Sequence, residues 1–270
     1  WDDVIRYAQP AFSQGAALSI GGFDGPHRGH ERIFHAVLQA ASRYGVPAGL
    51  ITFRRSPRFQ KAGTAYSGDV STLEMRLRKF ESYGFVFTVL IDFSEDFAKM
   101  RGAVFFDILM KTIRIKYLAV GSDFTCGYRH DTGVGELRLL AKEKGFCFDS
   151  IEQLVSVRHE RISSSAIRQA VEQADFTLAK DLLGYPFFLD VAKIVQRIDG
   201  TERSIGKHDI AQILPRNGLY AARAYIQTGV SVPVQVTITA AMLKISGLDT
   251  GAHPSSAETV IHKLEFIAKE

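Results

Sequence analysis

The chain has 270 residues, 46% of them hydrophobic, and a formal net charge of +4 at pH 7. A hydrophobic fraction of this size supports a folded core and argues against an intrinsically disordered chain. The mild positive charge suits a phosphate-bearing ligand, and because no basic run stands out we expect no nucleic-acid partner.

The apolar runs and the cysteines indicate the cellular location of the protein. Every apolar run is shorter than the roughly 20 residues that span a bilayer, so we expect no membrane association. The acidic start "WDDVIRYAQP" lacks the positive charge of a signal peptide. Cys126 and Cys147 have no metal-ligand spacing and form no disulfide framework, which favours a reducing compartment. We expect a cytoplasmic protein that is a monomer or a weak oligomer.

The first part of the chain alternates between strand and helix patterns. Strands are predicted at 16–23, 47–53, 85–93 and 115–121, and helices at 29–44, 69–83 and 102–113. This alternation predicts an α/β fold with a Rossmann-like parallel sheet covered on both faces. Ligands of such sheets bind outside the carboxyl ends of the strands.

The pattern changes near residue 184. Residues 163–183 are predicted as one helix, and the chain beyond it contains short strand-like runs separated by Gly, Pro, Asn and Asp. We predict a first domain over residues 1–184 and a smaller all-β barrel domain over residues 185–270.

A glycine-rich turn with two histidines follows the first predicted strand, in the stretch "SIGGFDGPHRGHERIF" that begins at Ser19. Glycines let the backbone approach a ligand closely. The start of the following helix offers unpaired N–H groups and positive potential to a phosphate. His27 and His30 are spaced to face the same way, and imidazoles can donate to phosphate oxygens as charge builds up.

Other interpretations of this turn stay open. Two histidines at this spacing are compatible with zinc, although the H-E-x-x-H pattern of metalloproteases is not present. The turn is not a P-loop, because the G-K-[ST] ending is missing. A structural turn that carries surface histidines is the remaining alternative.

The segment from Gly22 to His30, "GFDGPHRGH", resembles the G-x-F-D-x-x-H-x-G-H signature of the nucleotidyltransferase superfamily. Three later stretches resemble the bacterial bifunctional riboflavin kinase/FAD synthetase family more narrowly. They are "LITFRRSP" at 50–57, "VGSDFTCGYRHDTG" at 120–133 and "ISSSAIR" at 162–168. Ser56 and Cys126 depart from the family pattern, which leaves open a nucleotidyltransferase with a different acceptor.

The resemblance implies an enzyme that transfers AMP from ATP to FMN with magnesium, producing FAD and pyrophosphate. It implies catalytic roles for His27, His30, Ser164 and Arg168. The implied ATP-binding residues are Gly22, Phe23, Asp24, Gly25, His27, His30, Ser163, Ser164, Ser165 and Arg168. The implied flavin-binding residues are Thr52, Phe53, Pro57, Asp123, Phe124 and Tyr128. A capped surface helix is the alternative for the serine–arginine segment.

In the same family the barrel phosphorylates riboflavin, using a "G-x-PTAN" loop and a catalytic Glu. Here Gly206 is followed by "KHDI", and Val260 or Ile261 stands nearest to the Glu position. We therefore expect an inactive riboflavin-kinase-like domain. Two alternatives remain: a bifunctional enzyme that uses Asp209 and Glu258, and a flavin-nucleotide binding or sensing protein without catalysis.

Overall fold

The computed structural model describes residues 12–55, 66–152, 161–200, 202–226, 230–248 and 260–269. They fall into two compact units. The first lies within Trp1–Ala62 and Arg76–Val155, and the second within Gly63–Met75 and Ser156–Glu270. No helix in these ranges is both long enough and apolar enough to cross a membrane.

The first unit contains a parallel sheet with helices. Its strands are β1 (Ala16–Ile20), β2 (Ala48–Phe53), β3 (Phe87–Ile91), β4 (Ile115–Gly121), the short antiparallel pair β5 (Thr125–Cys126) and β6 (Thr132–Gly133), and β7 (Cys147–Ile151). Its helices are α1 (Arg28–Tyr44), α2 (Leu73–Tyr83), which begins in the second unit, α3 (Glu95–Ala98), α4 (Gly102–Thr112) and α5 (Val134–Lys144). In the described chain the sheet has the order β3-β2-β1-β4-β7, and its neighbouring strands are parallel. The predicted α/β fold is confirmed.

Strand β1 is central because it is apolar on both faces. Leu18 belongs to one buried cluster with Phe106 and Leu118. The neighbouring residue Ala17 belongs to a second cluster with Phe34, which projects from α1. Successive side chains of a strand point to opposite faces, so a strand without polar alternation needs cover on both sides, and the two clusters provide it.

The order of the strands creates a switch point beside β1. The chain passes from β1 to β2 and β3 on one side of the sheet, and then returns to place β4 on the other side of β1. The connections that leave the carboxyl ends of β1 and β4 therefore diverge, and such a crevice is where open α/β sheets bind ligands. The glycine–histidine turn follows β1 directly.

The second unit contains a curled antiparallel half-barrel, which confirms the predicted all-β part of the chain. Its strands are β8 (Phe188–Asp190), β9 (Arg197–Asp199), β10 (Glu202–Gly206), β11 (Gly218–Ile226), β12 (Ser231–Ile238), β13 (Met242–Ser246) and β14 (Ile261–Lys269). Within the described residues they follow the order β8-β14-β11-β12-β13-β10-β9.

The helix predicted over residues 163–183 is two helices, α6 (Ser164–Glu172) and α7 (Phe176–Leu183). Ala174 between them has a left-handed φ of 59°, which ends the first helix. The carboxylate of Asp175 then accepts a hydrogen bond from Leu178 N at 2.8 Å. This N-cap satisfies one of the unpaired donors at the start of α7, so two local signals outweigh the continuous helical periodicity.

Candidate active site

The glycine–histidine turn reverses the chain between β1 and α1. Gly21 N donates to Ile51 O on the neighbouring strand at 3.1 Å, which holds the start of the turn against the end of β2. Phe23 and Gly25 have positive φ angles of 44° and 61°. The left-handed region favours glycine, and a bulky residue held there stores strain of the kind found at functional sites.

His27 and His30 come together at the first turn of α1. Their rings stack with centroids 3.6 Å apart and planes at 15°. His27 N donates to His30 Nδ1 at 3.3 Å, so the neutral His30 ring carries its proton on Nε2, as a donor. Nδ1 of His27 is buried and has no hydrogen-bond partner among the described residues. An unpaired buried polar atom is costly, which suits a site that a ligand completes.

Burial sets the charge of the pair. It lowers the pKa of His27 to about 4. It also lowers the pKa of His30 well below the ordinary value, with a further contribution from the charge of His27. Both rings are therefore neutral at pH 7. A nearby phosphate acts in the opposite direction, because an anion favours the protonated imidazole.

The ring of Phe23 supports the histidines from the core side. It is 4% exposed and meets His30 edge-on at 5.1 Å, with Phe34 at 5.2 Å and Phe80 at 5.9 Å between centroids. Edge-to-face contacts at these distances are favourable. The side chain therefore packs inward, and the backbone of Phe23 is the part that faces the turn.

Gly22 is the part of the turn where the backbone is accessible. It is exposed, and a Cβ added there meets no atom within 4 Å. Its carbonyl oxygen accepts hydrogen bonds from Thr52 Oγ1 at 3.0 Å and from Arg76 Nη1 at 3.1 Å. In the free protein, no steric contact therefore requires a glycine at this position. A ligand that lies against this backbone would require it, because a side chain would occupy the same space.

The described flavin candidates of the first unit lie at the end of β2 and after β4. Phe53 is half-buried and packs with Phe93 at 5.6 Å and Phe97 at 6.2 Å. Thr52 is fully buried, and its hydroxyl is bonded to the turn. After β4, Asp123 and Tyr128 are exposed and Phe124 is partly buried. Pro57 and Ser56 lie outside the described residues.

The serine–arginine segment belongs to the second unit. Ser163 caps α6 and accepts from Ala166 N at 3.2 Å, and Ser164 and Ser165 form the first turn. Arg168 is 8% exposed, and its Nε donates to Gly68 O at 2.8 Å. Its guanidinium also lies over the ring of Tyr66, 5.7 Å from the centroid.

The structure therefore brings the two histidines together with Gly22, Phe23 and Thr52 at one turn of the first unit. Asp24 and Gly25 are buried within the same turn. The described ranges contain no group of three or more His, Cys, Asp or Glu side chains that could hold a metal ion.

Arg76 is a residue of this site that the sequence motifs missed. It lies in α2, is 3% exposed, and bonds to the ends of both β1 and β2. The sequence does contain an indication that Arg76 is buried. Arg76 and the buried Phe80 are four residues apart and therefore lie on the same face of the helix. A charged residue on the apolar face of an amphipathic helix needs specific partners.

Comparison with known proteins extends these observations. The FAD synthetase family model matches residues 9–166. The bifunctional riboflavin kinase/FMN adenylyltransferase of Escherichia coli K12 is 31% identical over 226 residues, which cover 80% of this chain and 70% of that protein. The protein of the same name from Haemophilus influenzae is 28% identical over 222 residues, covering 80% of this chain and 71% of that protein.

The fold also has a counterpart among solved structures. A crystal structure of a macrolide-efflux protein from Streptococcus pneumoniae has a TM-score of 0.78, at 20% identity, over 95% of this chain and 85% of that chain. This similarity shows a shared fold. The family match covers most of the chain up to residue 166 and includes the whole glycine–histidine turn, and from it we conclude that this chain belongs to the FAD synthetase family.

Proposed function

We propose that the protein is an FMN adenylyltransferase that transfers AMP from ATP to FMN at the glycine–histidine turn. The observation that carries the proposal is the stacked pair of neutral imidazoles, His27 and His30, at the start of a 17-residue helix. Phosphate is favoured there by the N–H groups and the positive potential of the helix start.

The reaction needs no covalent intermediate on the protein. A phosphate oxygen of FMN attacks the α-phosphorus of ATP, and the bond from that phosphorus to the bridging oxygen breaks. The bonding electrons leave with pyrophosphate. Positioning and charge stabilisation are then the main tasks of the protein. His30 Nε2–H donates to the phosphates, and both rings gain proton affinity as negative charge grows beside them.

Magnesium is proposed to reach the site bound to ATP. Mg²⁺ prefers oxygen ligands and is usually held by a few carboxylates plus substrate phosphates. The turn supplies two imidazoles and the carboxylate of Asp24, which do not form an oxygen-rich cage. The ATP phosphates would therefore carry the ion, while the protein neutralises the remaining charge.

The remaining ligand contacts follow the family pattern. Ser163, Ser164, Ser165 and Arg168 are proposed to contact the ATP phosphates. The proposed flavin-binding residues are Thr52, Phe53, Pro57, Asp123, Phe124 and Tyr128. Phe53 is supported by its aromatic neighbours, because the rings of Phe93 and Phe97 extend an apolar surface on which a flavin ring can pack.

The half-barrel is proposed to lack riboflavin kinase activity, and the functional division of the chain is proposed to fall at residue 184. Lys207 begins a short 3-10 helix after β10, and its Nζ lies 3.2 Å from Asn217 Oδ1. A cation there opposes the binding of a divalent metal. Val260 is 41% exposed and Ile261 is fully buried, so neither offers a base. Glu258 lies outside the described residues.

One assay tests both parts of the proposal. Purified protein is given ATP and magnesium with either FMN or riboflavin, and the flavin products are separated by chromatography. We expect FAD from FMN and no FMN from riboflavin. Binding of FMN without FAD formation would favour the sensing alternative. Formation of FMN that disappears in Asp209→Asn would favour the bifunctional alternative.

A further inference from the structure

Arg76 joins the ends of two central strands through one buried guanidinium. Nη1 donates to Gly22 O at 3.1 Å and to Thr52 Oγ1 at 3.3 Å. Nη2 donates to Phe53 O at 3.0 Å and to Arg54 O at 3.1 Å. Carbonyl groups beyond the end of a sheet lose their ladder partners, and unpaired buried carbonyls are unfavourable. The planar guanidinium of an arginine offers five donors in a fixed geometry, whereas the three donors of an ammonium rotate about one compact charge and do not orient the acceptors in the same way.

These bonds fix the orientation of the peptide between Gly22 and Phe23. The peptide is trans, so its N–H points opposite to its C=O. Since the carbonyl of Gly22 faces Arg76 and Thr52, the N–H of Phe23 faces away from them. The left-handed φ of Phe23, 44°, shows that this backbone is held against its local preference, and Arg76 is one of the groups that hold it.

We propose that Arg76 is a positioning residue for adenylyl transfer, which aims the Phe23 N–H at the ATP phosphates. A donor on the carbonyl of a peptide polarises it and strengthens donation by its N–H. Arg76 therefore both orients this amide and makes it a better donor to an anion. The inference rests on the proposed function, because it requires that the glycine–histidine turn binds ATP.

A purely structural role for Arg76 predicts a different outcome. In that case its replacement lowers stability, but leaves the amide of Phe23 able to bind phosphate once the protein is folded. A positioning role predicts a loss of turnover in the folded protein together with a loss of the amide response. The test therefore needs a readout at the amide itself in addition to activity.

The test compares Arg76→Lys with Arg78→Lys, because Arg78 is an exposed residue of the same helix. Steady-state kcat and KM are measured for ATP. The 15N amide resonance of Phe23 is followed as magnesium pyrophosphate is added. We expect Arg76→Lys to lower kcat/KM for ATP by about 100-fold, as small misplacements of a reacting group do. Arg78→Lys should match wild type.

We also expect magnesium pyrophosphate to shift the Phe23 amide in wild type and in Arg78→Lys, but much less in Arg76→Lys. Wild-type kinetics in Arg76→Lys would overturn the inference, and so would a Phe23 amide that does not respond in wild type. If Arg76→Lys does not fold, Arg76→Gln, which keeps two amide donors, takes its place. The wild-type amide measurement needs no variant and can overturn the inference by itself.

A failure of the inference about Arg76 can be distinguished from a failure of the proposed function. Full activity in His30→Gln would show that the turn is not the ATP site, and both ideas would fail. Loss of activity in His30→Gln, combined with wild-type behaviour in Arg76→Lys, would leave the proposed function intact and remove only the role of Arg76.

Discussion

The imidazoles of His27 and His30 are stacked with their ring centroids 3.6 Å apart. Two protonated rings at this distance would repel each other, and burial disfavours even one charge. The free protein therefore holds a pair of neutral rings at the start of α1. A phosphate that enters the site acts against this preference, because an anion favours the protonated imidazole, and ligand binding is thereby coupled to the charge of the pair.

Replacing either histidine by glutamine should abolish most of the activity. We expect His27→Gln or His30→Gln to lower kcat for FAD formation at least ~100-fold, the effect typical of losing one preorganised donor at developing charge. His35→Gln is the matched control, since His35 is an exposed residue of the same helix. Normal turnover in both site variants, measured as FAD per enzyme, would rule out the mechanism based on the histidine pair.

Acidification should destabilise the protein through His27. Its pKa is about 4 in the folded state against an ordinary 6.5, so between these values the unfolded chain binds more protons. The stabilising contribution is complete above pH 6.5 and is lost as pH falls toward 4. Between about pH 7.5 and about pH 5 this costs roughly 2 kcal/mol.

Urea denaturation at the two pH values measures this loss. His27→Gln should lose less stability on acidification than wild type, while His35→Gln should follow wild type. An identical pH dependence in wild type and His27→Gln would show that His27 is not held neutral by burial.

Gly22, in the turn before α1, and Gly45, which caps the end of α1, should respond differently to replacement by alanine. Gly22→Ala should change the free energy of unfolding by less than about 0.5 kcal/mol, since the added Cβ meets no atom within 4 Å. It should raise the KM for ATP, because the methyl group occupies the space proposed for the nucleotide. Gly45→Ala should instead cost about 1–2 kcal/mol of stability without changing KM, because Gly45 has a φ of +63°. An unchanged KM in Gly22→Ala would contradict the proposed position of ATP.

Arg168→Lys tests the serine–arginine segment. The lysine loses the Nε bond to Gly68 O and the paired donors proposed for the ATP phosphates, so we expect kcat/KM for ATP to fall at least about 10-fold. Arg197→Lys, at an exposed position in β9, is the control and should behave as wild type. If Arg168→Lys lowers only the melting temperature and keeps full turnover, the arginine serves the fold and not the ligand.

The parts of the fold that depend on local sequence could be predicted. The apolar run of β1 and the helical spacing of Phe34 and Val37 in α1 depend only on neighbouring residues and on burial of one face. The alternation from strand to helix, the change to short strands near residue 184 and the position of the histidine turn between β1 and α1 are of the same kind. Local periodicity reports which face of an element is buried, so these predictions hold without tertiary contacts.

Tertiary structure decided the features that join distant segments. Arg76 reaches Gly22 across 54 positions and Arg168 reaches Gly68 across 100, and no local pattern contains such pairs. The neutral state of His27 and His30 has the same origin, because it arises from burial. His30 packs on Phe23 and Phe34, and both of these rings contact Phe80 of the distant helix α2. A sequence motif can identify the residues that contact a phosphate. Their protonation state and their orientation depend on the residues that pack against them in the folded protein.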